Sequence, residues 1–187
     1  MQSLLQYSIR HRLILGLLTS FYALDQVSKY VVSQSMKLGE SVPAEGLFRL
    51  TFIYNSGSAF GLFRGMNAPL ILVSLIGVTV LVFVYRTQPH PSWLWSTSLG
   101  LQLAGALGNL TDRLTLGHVV DFIDVGSWPI FNVADASLIV GMALLGWIIL
   151  VGRTERQSPI PDDLATAAEA TTVAGQEPSL PHEHRHP

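Results

Sequence analysis

Four aspartates, Asp112, Asp121, Asp124 and Asp135, fall within one short stretch, GNLTDRLTLGHVVDFIDVGSWPIFNVAD, which begins at Gly108. Apolar, uncharged segments flank it on both sides, in a chain with only 13 acidic residues. Carboxylates set between hydrophobic segments are costly to bury, so they need partners or a chemical task. Two close carboxylates cannot both ionise freely and so share a proton. One then draws a proton from water while the other, still protonated, polarises a carbonyl, which is acid–base hydrolysis. Cysteine is absent, so a disulfide framework, a thiolate nucleophile and a Cys-based metal site are excluded. His182, His184 and His186 alternate near the end of the chain, but nothing around them supplies a scaffold for a metal, and no metal or other cofactor is expected.

The surroundings of each aspartate rank them. If HVVDFIDV is extended, Asp121 is the one polar group on its face, between Val119 and Ile123, and desolvation raises such a carboxyl's pKa. Asp124 shares the other face with His118 and suits acid–base work less well. Asn132 and Asp135 have the N-x-x-D spacing of a capping box, with Asp135 at the third position of a helix, so both have a structural role open to them as well as a chemical one. Asp112 and Arg113 are expected just past a helix end, where Arg113 offers a rigid fork of donors to any nearby carboxylate. Asp25 and Lys29, at i and i+4, stand on one helix face, either as a self-neutralised interfacial pair or as a brace for the site. Asn55, in NSGSAFG, is either a turn residue or a site residue. On residues alone three functions stay open: a hydrolytic pair, a small proton- or cation-coupled membrane carrier, and a scaffold whose aspartates cap helices.

Positioning these groups falls to apolar helices. Of 187 residues, 49% are hydrophobic and 13% charged, about half the charge of a typical soluble domain. Four segments approach the 17–25 residues, roughly, that cross a bilayer: about Leu13 to Val32, Ala68 to Tyr85, Pro91 to about Leu110, and about Val133 to Val151. The expected fold is an all-α membrane protein of four transmembrane helices, plus an extracytoplasmic strand and turn region at about 36–67, where LFRLTFIYN reads as a strand. Residues 1–12 read as a cytoplasmic or interfacial lead, 13–152 as the transmembrane domain and 153–187 as a disordered cytoplasmic tail. Gly100, Ala104 and Gly108 form a small-residue stripe that lets another helix approach closely. Arg10, Arg12, Arg86, Arg153 and Arg156 lie on one side, so both termini are expected in the cytoplasm and the aspartate-rich stretch outside. No basic surplus points to nucleic acid.

Five blocks in order, DQVSK, NSGSAFG, GNLTDR, GHVVDF and FNVADA, resemble lipoprotein signal peptidase (signal peptidase II) over about residues 10–152. The chain departs from the family pattern at Ala104, where the family often has glycine. The resemblance implies a metal-free aspartyl endopeptidase of the bacterial inner membrane, a target of globomycin, with Asp121 and Asp135 as the catalytic pair. It implies site-shaping or substrate-holding roles for Asn55, Asn109, Asp112, Arg113 and Asn132, and supporting roles for Asp25 and Lys29. The implied partners are prolipoprotein signal peptides, cut just before a diacylglyceryl-modified cysteine, and membrane lipid; a monomer is expected.

Overall fold

The structure, a computed structural model, describes residues 2–57, 67–87 and 92–156. The expected turn at Asn55–Gly61 is therefore described only to Gly57, and the expected tail lies outside the described residues from Gln157 on. The chain divides into two compact units, Met1–Ile149 and Leu150–Pro187. Every site residue named above belongs to the first, and the second is described only in the last turns of one helix.

The described residues form four helices and a small antiparallel sheet: α1 (Gln2–Ser35), β1 (Ser41–Val42), β2 (Arg49–Asn55), α2 (Asn67–Thr87), α3 (Trp93–Thr115), β3 (Val119–Asp124) and α4 (Val133–Arg156). Helix α1 runs unbroken from Gln2 to Ser35, through the described part of the expected lead. Nothing in LLQYSIRHRLIL breaks a helix, since it has neither glycine nor proline. Likewise α4 continues through Arg156, past the expected boundary at 152. Among the described residues two helices are long and apolar enough to cross a membrane, α2 and Val133–Val151 of α4. In α1 the apolar run is interrupted by Asp25 and Lys29, and α3 carries Ser96, Ser98, Gln102 and Asn109 along its buried length.

Helix α3 is the centre of the packing, and its small residues explain why. A Cβ on Gly100 would stand 3.0 Å from Leu17 Cβ and 3.2 Å from the Ile14 carbonyl of α1. A Cβ on Gly105 would sit 2.3 Å from the Ala134 carbonyl of α4. Gly100 and Gly105 thus seat two neighbours on different sides of one helix, and Ala104 of the stripe is buried as well. By contrast α2 buries none of its residues, as suits a helix facing lipid. Ser92 caps α3 by accepting the Trp95 N–H. At the other end α3 runs five residues beyond the expected Leu110, so Asp112 and Arg113 lie on its last turn rather than past its end. The helix stops where Gly117 takes a left-handed φ of 78°, which turns the chain back into β3.

The sheet has order β1-β2-β3. Asp121 of β3 pairs across from Ile53 of β2, and Val119 from Asn55. The alternation expected for β2 is broken by an irregularity between Leu50 and Ile53, so that Thr51 and Phe52 are both buried. Phe52 packs with Val32 of α1 and with Val120 and Phe122 of β3, fixing the sheet on the helix bundle.

Candidate active site

Each candidate carboxylate reaches the site by a different backbone device. Asp121 lies mid-strand on β3, fully buried. Two residues beyond its cross-strand partner, Asn55 closes β2 and donates Nδ2–H to Asp121 Oδ2 at 2.8 Å. That is the diagonal same-face relation of an antiparallel pair. After β3 the chain loops out and returns, and Phe131 bridges back to Ile123. This return sets Asn132 beside Asp121, where its Nδ2–H donates to Asp121 Oδ1 at 2.6 Å and to the Val120 carbonyl at 3.3 Å.

Asn132 also starts α4. Its Oδ1 accepts the Asp135 N–H at 2.9 Å, and Asp135 Oδ2 accepts the Asn132 N–H at 3.3 Å. The capping box expected from N-x-x-D is present, and the same two residues belong to the polar cluster, so the two readings do not compete. Asn109 of α3 completes the cluster. Its Nδ2–H donates to Asp135 Oδ1 at 2.7 Å, while its Oδ1 accepts from Asn132 Nδ2 at 3.1 Å and from Lys29 Nζ at 3.0 Å. Asp121 and Asp135 are therefore joined through two asparagine side chains, with no cation in direct contact with either carboxylate among the described residues.

Burial, and then the charge of Asp135, push the Asp121 carboxyl up from 3.8 to about 7. Hydrogen bonds from Asn55 and Asn132 and the charge of Lys29 pull against that rise without cancelling it. Asp124 is a different kind of group. The Gly126 N–H, the Thr51 hydroxyl and Arg49 hold it below the usual carboxylate range. Its Oδ2 meets Arg49 at 2.7 Å and Thr51 at 2.9 Å, on the opposite side of the strand from Asn55 and Asn132. The face-by-face reading of HVVDFIDV that preferred Asp121 agrees with this geometry.

Beneath the asparagines lies a buried charge centre. Lys29 Nζ contacts Asp25 Oδ2 at 2.8 Å and Asp112 Oδ2 at 2.9 Å, with all three side chains nearly inaccessible. The Asp25–Lys29 pair is therefore not self-contained, since Lys29 also holds Asp112. Asp25 Oδ1 accepts the Ala134 N–H at 2.9 Å, which satisfies a free donor in the first turn of α4 and ties that helix to α1. Asp112 Oδ2 accepts the Val120 N–H at 3.2 Å, which ties β3 to α3. Gln26, which sequence reasoning passed over, donates Nε2–H to Asp25, Asp112 and the Gly108 carbonyl. Its neighbours in DQVSK were the only signal for it. Arg113 donates to the Asn109 carbonyl at 3.4 Å and lines a cavity of about 250 Å³ together with Asn55, Asn109 and Asp135. The other walls are mostly apolar, including Trp128, Phe131 and Leu138. Asp121 is not in that lining; Asp135 is the member of the pair that faces the cavity. Among the described residues no group of His, Asp and Glu is arranged to hold a metal ion.

Comparison with known proteins gives one consistent result. The family model described as signal peptidase (SPase) II matches residues 17–151. A lipoprotein signal peptidase of Moorella thermoacetica is 40% identical over 145 residues, covering 77% of this chain and 95% of that protein. One from Geobacter sulfurreducens is 37% identical over 161 residues, covering 82% and 98%. A bacterial membrane enzyme solved by the in meso method at 2.3 Å is 31% identical with a TM-score of 0.71, covering 79% of this chain and 92% of that one. A match over most of the chain, with nearly whole relatives spanned, shows that this protein belongs to the signal peptidase II family and is an aspartic peptidase of that type.

Proposed function

We propose that Asp121 and Asp135 are the catalytic pair of an endopeptidase that removes signal peptides from diacylglyceryl-modified prolipoproteins, cutting just before the lipidated cysteine. The observation that carries this reading is the pair of carboxylates linked only by neutral amides, one of them lining an apolar cavity. With its pKa near 7, the buried Asp121 keeps a proton available at neutral pH, and it polarises the scissile carbonyl once bound substrate displaces Asn55, which stands between it and the cavity. Asp135, at the cavity wall, is the base that takes a proton from the attacking water. Asn109 and Asn132 orient both carboxylates, Asn55 holds Asp121, and Arg113 offers donors to the substrate backbone beside Asp135.

In this reading all four helices cross the inner membrane, both termini are cytoplasmic and the site lies at the outer face. The charged residues of α1 and α3 support such an arrangement, because Asp25 and Asp112 pair with Lys29 in the protein interior rather than facing lipid. A substrate whose lipid stays in the bilayer then presents its scissile bond at the level of the cavity. The carrier reading is not favoured by the family match.

The test is product analysis. The purified chain in nanodiscs is given a synthetic lipidated precursor, and fragments are identified by mass spectrometry. A single new amino terminus at the lipidated cysteine is expected. Uncleaved precursor, or cutting elsewhere, contradicts the proposal.

A further inference from the structure

The wall between α2, α3 and α4 holds a buried amide that the site does not use. Gln102 is about two turns of α3 from Asn109, roughly 10 Å along the axis at 1.5 Å per residue, and it is 93% buried, with 7% exposed. Ser98 and Gly141 seat it. A Cβ at Gly141 would come within 2.6 Å of Gln102 Cγ, so only glycine leaves room for the stem. Ser98 Oγ donates its one proton to the Gly141 carbonyl at 2.7 Å. It therefore meets Gln102 as an acceptor, and only the amide NH₂ end can face it, at 2.9 Å. That fixes the orientation of the amide and leaves Oε1 pointing elsewhere.

No hydrogen bond reaches Oε1 among the described residues, and every fully buried side-chain polar atom there has a partner. Oε1 therefore opens to the cavity that Gln102 lines, a cleft of about 490 Å³. This cleft shares Asn109, Arg113, Asp135 and Leu138 with the cavity at the aspartate pair, so the two adjoin. Around Gln102 its walls are mostly apolar, with Val80, Leu81 and Ala106. An acceptor fixed in such a wall is costly unless something donates to it. A lipid chain has no donor to offer.

We infer that Gln102 is a specificity-determining residue, whose Oε1 accepts a hydrogen bond from the signal-peptide side of the bound precursor. The inference rests on the peptidase reading above. The shared chemistry is an N–H or O–H donor, and two parts of a precursor carry one. An extended segment next to the scissile bond has free backbone N–H groups, and about three residues at roughly 3.3 Å each span the distance from Asn109 to Gln102. A serine or threonine hydroxyl is the other source.

The experiment measures kcat/KM of the full chain and of Gln102→Met in nanodiscs on a series of lipidated precursors. In one arm single amides near the scissile bond are replaced by esters, which removes one N–H at a time. In the other, hydroxyl residues are replaced by alanine. The parent precursor should be cleaved about 3- to 10-fold less efficiently by Gln102→Met, the worth of one neutral hydrogen bond. One replacement should abolish that difference, and the arm in which it falls names the donor. Equal cleavage by both proteins overturns the inference, as does an equal loss on every precursor, the pattern of a merely damaged fold. Failure of the unsubstituted chain to cleave any lipidated precursor overturns the peptidase reading and this inference together.

Discussion

Asp25 and Asp112 form one pair of aspartates and Asp121 and Asp135 another, and the partners of the two pairs differ. Asp25 and Asp112 bracket one ammonium, Lys29, at 2.8 and 2.9 Å, and accept further N–H groups from Ala134, Gln26 and Val120. Asp121 and Asp135 have no direct cation among the described residues and are held by Asn55, Asn109 and Asn132 together with the Asn132 N–H. A carboxylate against a lysine serves as a fixed joint between elements. A carboxylate held by neutral amides in a dry site keeps the choice of protonation state. One residue type thus becomes a strut in one pair and, at Asp121, a group with a raised pKa in the other. Asn109 joins the two regions, because its Oδ1 accepts from Lys29 while its Nδ2–H donates to Asp135.

Removing the lysine breaks the comparison hardest. Lys29→Met leaves two buried carboxylates without their cation, and a stability loss of about 3–5 kcal/mol is expected, read as a lower unfolding temperature in detergent. The next largest effect concerns Gly108, where a Cβ would lie 2.5 Å from Asp25 Oδ2. That oxygen is held by Lys29 and Gln26 and the other by the Ala134 N–H, so it yields reluctantly. Gly108→Ala should cost about 1–3 kcal/mol by overpacking and lower turnover with it. Unchanged stability in the same unfolding assay would show that the strut is softer than its contacts imply.

A pH comparison of Asp121 with asparagine sharpens the contrast further. Asp121 binds its proton more tightly folded, at about 7, than at the ordinary value of 3.8. Its contribution to stability is therefore complete below that ordinary value and is lost as pH rises through the folded one. Between pH 4 and 7 the protein should lose stability relative to Asp121→Asn, by at most about 1.4 kcal/mol per pH unit. Parallel unfolding curves across that range would mean that Asp121 ionises like an exposed carboxylate. Activity should fall on the alkaline side as Asp121 gives up its proton, so a kcat/KM profile rising steadily past pH 8 speaks against its role as the acid.

Much of this was legible in the chain because it is local. The i,i+4 spacing put Asp25 beside Lys29, the period of two separated Asp121 from Asp124, and N-x-x-D announced the cap of α4. What escaped was set by packing between distant segments. Asp112 joins Lys29 where α1 lies against Gly100 and Gly108 of α3, and the small-residue spacing announced a close neighbour without saying which helix it is. The end of α3 was placed too early because the apolar run stops at Leu110, whereas the helix has no breaker before Gly117. The irregularity in β2 was hidden because LTFIY is apolar on both faces, so a shift of register leaves little trace in the pattern. Asn109 and Gln26 carry no titrating group; the family resemblance pointed to Asn109, whereas Gln26 becomes visible only through its contacts.

The central claim is that Asp121 and Asp135 act as one proton-sharing pair, and single-turnover cleavage by Asp121→Asn and Asp135→Asn tests it most directly. Each variant, assayed on a lipidated precursor in nanodiscs alongside its unfolding temperature, should lose cleavage by about 10²–10⁴-fold while remaining folded. Near-normal cleavage by either folded variant would contradict the account.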